Sequence, residues 1–404
     1  MTEATEVLSG SRPSHLRIVG AVSAAHFVSH YYILLLAPLL PFVRADYGVS
    51  YTEIGLALSA FNIVSTVFQT PVGFLVDWLG ARILLIGGLL IGAGAFAVAG
   101  LVDSFWVLVA MFGLAGVGNA VYHPADYALL SQHVPAQNIG RAFSVHTFAG
   151  MLGSALAPPT LLTMQNLWGW RVAFVGAAII GLAAAALVAF IRDNGAPVHP
   201  APAPARAAKQ ADAGGWRLLM APAILLNLMF FMLLAMISGG IYNYSVVAFG
   251  ALYGTPVGTA NGALTGNLLF SSIGVLIGGW LVGRTSRHAA VAGLGLALMA
   301  LLTVLVGVIE LAPLVLIGAM SLSGFFSGVI MPSRDMIVRE VTPPGAFGRV
   351  FGFVTTGFNL GGIVSPLVFG AIMDHGRPQL VFLAAAGFAL LAILTVATRP
   401  RPRL

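Results

Sequence analysis

GVGNAVYHPADYALLSQHVPAQNIGRAFS, from Gly116 to Ser144, returns 208 residues later as GFFSGVIMPSRDMIVREVTPPGAFGRVFG, from Gly324 to Gly352. At that offset Gly116 meets Gly324, Pro124 meets Pro332, Pro135 meets Pro343, and Gly140-Arg141 meets Gly348-Arg349. Beyond the quoted stretch Gly153 meets Gly361 and Pro158 meets Pro366. From 116 to 158 there are 11 identities in 43 positions, and they include Gly, Pro and Arg, which an apolar composition does not supply by accident. Two parallel copies of one half in a membrane chain imply a secondary transporter with its site between the copies.

Composition places the chain in the bilayer. Hydrophobic residues make up 58% of 404 positions and charged residues 8%, against about a quarter charged in an ordinary soluble domain. The net charge of +6 is no nucleic-acid footprint, because the Lys and Arg residues are scattered between apolar runs rather than gathered on one face. With no cysteine there is no disulfide, thiolate nucleophile or cysteine metal site. Residues 1–16 are polar and the first apolar run is too long for a cleaved signal peptide.

A window of about 20 apolar residues predicts twelve spans: 18–43, 52–76, 82–102, 105–131, 140–164, 171–191, 219–249, 258–282, 288–309, 312–338, 346–373 and 379–398. With both termini cytoplasmic, sixteen Lys and Arg fall inside and three, Arg44, Arg171 and Arg377, fall outside, as the positive-inside bias requires. The Ala- and Pro-rich stretch 193–216 reads as an extended cytoplasmic linker. The expected architecture is an all-α membrane protein of two pseudo-symmetric six-helix halves, 1–192 and 217–404.

Ionisable groups inside spans need a partner, water or a task. His26 and His30 lie four apart on one face of the first span, with Ser23 on the same stripe. Histidine titrates in the physiological range, so the pair suits proton coupling or anion binding; neutral histidines bonded within the bundle are the structural alternative. A metal would need further ligands that the spacing does not show, so no metal and no cofactor is expected. His123 and Asp126 share a face of the fourth span near its cytoplasmic end, and His146 enters the fifth from that side. With Arg141 they suit a proton relay or an inner gate. In the repeat Asp126 corresponds to Arg334 and Arg141 to Arg349, and opposite charges at equivalent places could pair when the inner side closes; interfacial snorkelling is the bland reading of the arginines. Tyr242 and Asn243 in the seventh span and Asn359 in the eleventh could orient a solute, although Tyr242 also fits the interfacial belt. Asn62, Gln69, Asn119 and Asn267 read as glue between helices. Counting from span ends leaves Glu53 near an outer end and Asp77, Asp126 and Asp335 near inner ends. A centre with histidines and no acid favours neutral or anionic cargo.

Two stretches resemble a known family. Gly73-Phe-Leu-Val-Asp77-Trp-Leu-Gly80-Ala-Arg82 after the second span, and the decayed Gly279-Trp-Leu-Val-Gly283-Arg284-Thr-Ser-Arg287 after the eighth, resemble the loop signature of the major facilitator superfamily. That resemblance implies a latch on the cytoplasmic side involving Asp77, Arg82 and Arg349. Gly150-Met-Leu-Gly153-Ser-Ala-Leu-Ala-Pro158-Pro159 is similar to the antiporter motif of superfamily exporters, though it lacks the glycine pair that often follows the proline. Within the superfamily, Ala25-His26-Phe-Val-Ser-His30, Gly116-Val-Gly118-Asn-Ala-Val-Tyr122-His123-Pro124 and Trp168-Gly169-Trp170-Arg171 resemble the fosmidomycin-resistance group of bacterial exporters. Two positions depart from the group: His30 stands where an acid is usual, and Ala125-Asp126 follows His-Pro where Glu is usual.

The expectation is therefore alternating-access export of a small neutral or anionic, phosphonate-like solute in exchange for protons, by a monomer in a bacterial inner membrane. The rival is proton-linked or facilitated uptake of a small carboxylate. A solute receptor would need a large cytoplasmic domain. An enzyme would need paired carboxylates, a Ser/His/Asp grouping or a phosphate-cradling loop at depth, and none is found in the sequence.

Overall fold

Gly116 and Gly324 occupy equivalent helix crossings. A Cβ on Gly116 would stand 2.5 Å from the carbonyl oxygen of Phe61, and one on Gly324 would strike the backbone of Asn267. The repeat thus conserves a place where two helices touch backbone to backbone, which in lipid, without a hydrophobic drive between helices, is how packing is won. Gly153 and Gly361 form a second equivalent pair, facing the carbonyls of Phe27 and Met232.

The computed structural model describes residues 12–135, 138–190, 215–343 and 346–397. The helices are α1 (Arg12–Ile33), α2 (Leu40–Tyr47), α3 (Tyr51–Leu79), α4 (Ala81–Leu101), α5 (Phe105–His133), α6 (Ile139–Trp168) and α7 (Trp170–Ala189). There follow α8 (Gly215–Leu219), α9 (Pro222–Tyr253), α10 (Val257–Val282), α11 (His288–Val308), α12 (Pro313–Glu340), α13 (Phe347–Asp374) and α14 (Gln379–Ala397). Among the described residues eleven helical segments are long and apolar enough to cross a membrane. The twelfth expected span is α6, 30 residues long; Ser144, His146, Thr147, Ser154, Thr160, Thr163 and Gln165 lower its hydropathy. The expected linker 193–216 lies almost wholly outside the described residues.

The first expected span is broken. After α1 the chain makes a 3-10 turn at Ala37–Leu39 and restarts as α2, because Pro38 and Pro41 lack the N–H that a continuous helix would need. One boundary between the two units falls at that break and another inside α3, after Ser59. One unit holds residues up to Leu35 and Ala60–His199; the other holds Leu36–Ser59 and Pro200 onward.

In the first unit α1 packs on α6 and α7, and α4 packs on α5 and α7. In the second, the repeat counterparts do the same: α9 packs on α13 and α14, and α11 on α12 and α14. Large apolar side chains point outward in both, for example Phe74 at 73%, Trp106 at 65% and Leu314 at 82% exposed, while His26, Asp126 and His146 are buried. That inverts the pattern of a water-soluble bundle and suits lipid.

Within the second unit, Leu36–Ser59 is held by a polar clasp. The Asp374 carboxylate, at the end of α13, accepts the backbone N–H groups of Tyr51 at 2.7 Å and Thr52 at 2.9 Å, and the Thr52 hydroxyl at 2.6 Å. These are the unsatisfied donors at the start of α3, so a carboxylate there meets both orphan N–H groups and the positive end of the helix. One turn on, Gly55 leaves no room for a Cβ against the Pro366 carbonyl, 2.7 Å away, and the Tyr244 hydroxyl donates to that same carbonyl at 2.6 Å.

Candidate functional site

Histidines from three helices and one carboxylate converge in the first unit. α1 supplies His26 and His30, one turn apart; α5 supplies His123 and Asp126, also one turn apart; α6 supplies His146. The His26 and His146 rings stack with centroids 3.8 Å apart, His30 stands edge-on to His26 at 4.7 Å, and His123 lies 5.2 Å from His26. One oxygen of Asp126, Oδ2, faces both His26 Nδ1 at 3.5 Å and His146 Nε2 at 3.8 Å. Asp126 and His146 are 0% exposed and His26 4%.

Glycine makes the room. A Cβ on Gly150 would stand 2.5 Å from His26 Cδ2, 2.6 Å from its Nε2 and 2.9 Å from His30 Cδ2. Gly150 lies four residues after His146, on the same face of α6. The glycine-rich motif of the fifth span thus seats the imidazoles of the first. His30 is fixed further by Ser154, whose Oγ is 3.2 Å from Nδ1.

A carboxylate buried away from water is costly unless paired. Here its neighbours are imidazoles that can carry a proton. The group can exchange protons, bind an anion when charged, or ligate an ion with free ring nitrogens.

The arrangement corrects two inferences drawn from spacing. Asp126 is not remote from the histidines of the first span: its Oδ2 lies 3.5 Å from His26 Nδ1, although counting from apolar edges sets it near the inner end of its helix. The centre of the first unit therefore contains an acid, and the argument for neutral or anionic cargo from its absence falls. Secondly, the His26–His30 pair does have further donors close by: His123, His146 and Asp126. The usable signal was the coincidence of His123, Asp126, His146 and Gly150 at one-turn spacings on two consecutive helices.

The gating expectations fare differently from one residue to the next. Asp126 belongs to the histidine cluster. Arg334 pairs with the adjacent Asp335 at 2.8 Å and lies over the rings of Phe231 at 4.8 Å and Phe358 at 5.0 Å, all within the second unit. Arg82 donates to the carbonyls of Val188, at 3.3 Å, and Ala189, closing the end of α7, where a cation meets orphan carbonyls and the negative end of the dipole. Gly80, with φ of 91°, makes the turn before it, which only glycine adopts freely. Arg141 lines a surface groove of about 220 Å³ with His15 and Asn138. The side chains of Asp77 and Arg349 lie outside the described residues.

In the second unit Tyr242 stands among Ser238, Ser271 and Ser327, beside a cavity of about 10 Å³ that Thr303 and Ser323 also line. That is room for about one water. Asn243 donates to the Gly239 carbonyl of its own helix at 3.1 Å, and Asn359 is half-buried on α13. Asn119 and Asn267 join helices as expected, Asn119 donating to Ser65 at 2.8 Å and Asn267 to the Met320 carbonyl at 2.9 Å.

Two units of the same helix pairings, apolar outside, polar within and in the first unit ionisable, define a multi-pass membrane transporter. The family model of the Major Facilitator Superfamily matches residues 22–262 and 228–404, and the chain belongs to that superfamily. Its relatives are transporters and not enzymes. The Fosmidomycin resistance protein of Escherichia coli K12 is 24% identical over 417 residues, covering 98% of this chain and 97% of the relative. The Hexuronate transporter of Bacillus subtilis 168 is 24% identical over 386 residues, covering 90% of this chain and 89% of the relative. Among solved structures, a bacterial homologue of the human lysosomal transporter Spinster shares the fold, with a TM-score of 0.80 at 13% identity, over 97% of this chain and 100% of that one.

Proposed function

We propose that the protein exports a small anionic, phosphonate-like compound across a bacterial inner membrane in exchange for protons, with His26, His30, His123, His146 and Asp126 as the coupling group. The observation that carries this reading is the Asp126 oxygen set between His26 and His146 inside the bundle. Two imidazolium rings stacked at 3.8 Å would repel one another strongly in a low-dielectric interior. The stack therefore favours one shared proton, and loading a second requires an anion or a change of packing. Four imidazoles against one carboxylate still lean toward anionic cargo. The names of the two relatives, a phosphonate drug and a sugar acid, agree with that class.

In this reading the halves 1–192 and 217–404 expose the solute to one side of the membrane and then the other, with both termini in the cytoplasm. Tyr242, Asn243 and Asn359 are the second half's contribution to solute orientation. Asp77, Arg141, Arg334 and Arg349 keep a gating role on the strength of the family resemblance and the repeat, and the protein acts as a monomer. The rival, proton-linked uptake of a small carboxylate, is favoured by the relative named for hexuronate.

The test uses everted membrane vesicles with an imposed proton gradient read by a fluorescent pH probe. Fosmidomycin, D-galactonate and glucuronate are added in turn. Exchange predicts that a transported solute drains the gradient as it accumulates. Solute and proton moving together would establish the uptake rival, and a gradient indifferent to every anion would overturn the proposal.

A further inference from the structure

The same cluster has a property that proton coupling does not require. His26, His123 and His146 each offer a ligand atom, and these atoms all lie within 4.8 Å of one another. The Asp126 carboxylate adds an oxygen 3.5 Å from His26 Nδ1 and 3.8 Å from His146 Nε2. Five polar atoms here, His26 Nδ1, both nitrogens of His146 and both oxygens of Asp126, are buried with no hydrogen-bond partner among the described residues. Native structures rarely leave buried polar groups unpartnered, and a concentration of them at one point asks for an ion or ordered water. Three imidazoles and a carboxylate are the donor set of a tetrahedral zinc-type site, with metal–nitrogen bonds of about 2.0–2.1 Å. In such a tetrahedron donor atoms stand about 3.3 Å apart. The Asp126 contacts are already close to that; the nitrogens would draw in by about 1.5 Å at most, and the stacked His26 and His146 rings, 23° apart in plane, would tilt to turn both lone pairs to one ion. Mg2+ and Ca2+ prefer all-oxygen shells and are not suited.

We propose that His26, His123, His146 and Asp126 bind one divalent transition-metal ion of the zinc class, which would occupy the lone pairs that protons use in the coupling reading. The inference needs only the geometry of the cluster and not the direction or substrate of transport.

The probe is Co2+, added to the purified full-length protein, free of any histidine tag, in detergent at neutral pH. Binding is read from the visible d–d absorption of tetrahedral cobalt, with no transport step involved. The expected result is one Co2+ per chain, displaced by stoichiometric Zn2+ and untouched by excess Mg2+. His123→Gln changes the most accessible ligand and leaves α1 intact, so it should give monodisperse protein whose absorption is lost or whose affinity falls by at least about tenfold. Asp126→Asn should weaken binding by about 10–100-fold, and His133→Gln, outside the cluster, should not. Absence of a tetrahedral spectrum, or a spectrum that survives His123→Gln and Asp126→Asn, would overturn the proposal. A positive result together with failed proton exchange would leave the metal site standing and the coupling reading refuted.

Discussion

Replacing Gly150 with Ala places one methyl group where the structure leaves none. The new Cβ would stand 2.5 Å from His26 Cδ2, 2.6 Å from His26 Nε2 and 2.9 Å from His30 Cδ2. Ordinary carbon contacts begin near 3.5 Å, so the His26 ring must move by about 1 Å. It cannot retreat freely, since the ring also stacks on His146 at 3.8 Å. Overpacking of this kind costs about 1–3 kcal/mol, while Gly→Ala inside a helix returns up to about 1 kcal/mol. The net loss of stability is then about 0–3 kcal/mol, small enough for the variant to fold. The functional loss should be larger, because about 1 Å of displacement in a reacting group can cost about a hundredfold. The assay pairs thermal unfolding in detergent with proton-coupled flux in liposomes, and Gly94→Ala, where a Cβ meets nothing within 4 Å, is the control. Flux in Gly150→Ala equal to that of the parent protein would refute the claim that this glycine seats the coupling histidines.

Gly116→Ala should destabilise the first unit by about 1–3 kcal/mol, because its Cβ meets the fixed backbone of Phe61; thermal unfolding checks it, and a stabilised variant would show that the crossing relaxes freely. Asp374→Ala should cost about 1–2 kcal/mol through loss of the cap on α3 and raise amide exchange at Tyr51 and Thr52, read by hydrogen–deuterium exchange; unchanged protection would show that Leu36–Ser59 is held by apolar packing alone. Arg82→Ala should loosen the end of α7 by about 1 kcal/mol, with faster amide exchange over the last turn up to Ala189. If the gating role is the larger one, transport falls with no change in that exchange.

Much of the fold was legible because its physics is local. Span lengths follow from bilayer thickness, and the repeat declared itself through glycines whose reason, backbone contact at Phe61 and Asn267, is sterically strict. The family was legible through the resemblance of the loop Gly73 to Arg82 to its signature, in which Gly80 makes the turn. What was hidden depends on register between helices. The meeting of His26 with Asp126 and His146 turns on how α1 is set against α5 and α6, and no apolar boundary reports that. The break at Pro38 and Pro41 was missed, because the apolar run continues through both prolines and a hydropathy window spans them; the assignment of Leu36–Ser59 to the second unit was hidden too, since Asp374 and Thr52 are joined across more than 300 residues. Arg82 illustrates the remaining limit: the motif predicts that the arginine matters, while its partners are carbonyls, which carry no mark in a sequence.

The central claim is that one carboxylate among imidazoles couples solute to protons. The decisive measurement is the number of protons moved per solute in liposomes for the parent protein, His26→Ala and Asp126→Asn, using the solute identified in vesicles. The account predicts a fixed ratio in the parent and, in both variants, solute flux that is abolished or no longer accompanied by protons. An unchanged ratio in Asp126→Asn would contradict it and return the histidine cluster to a structural or metal-binding role.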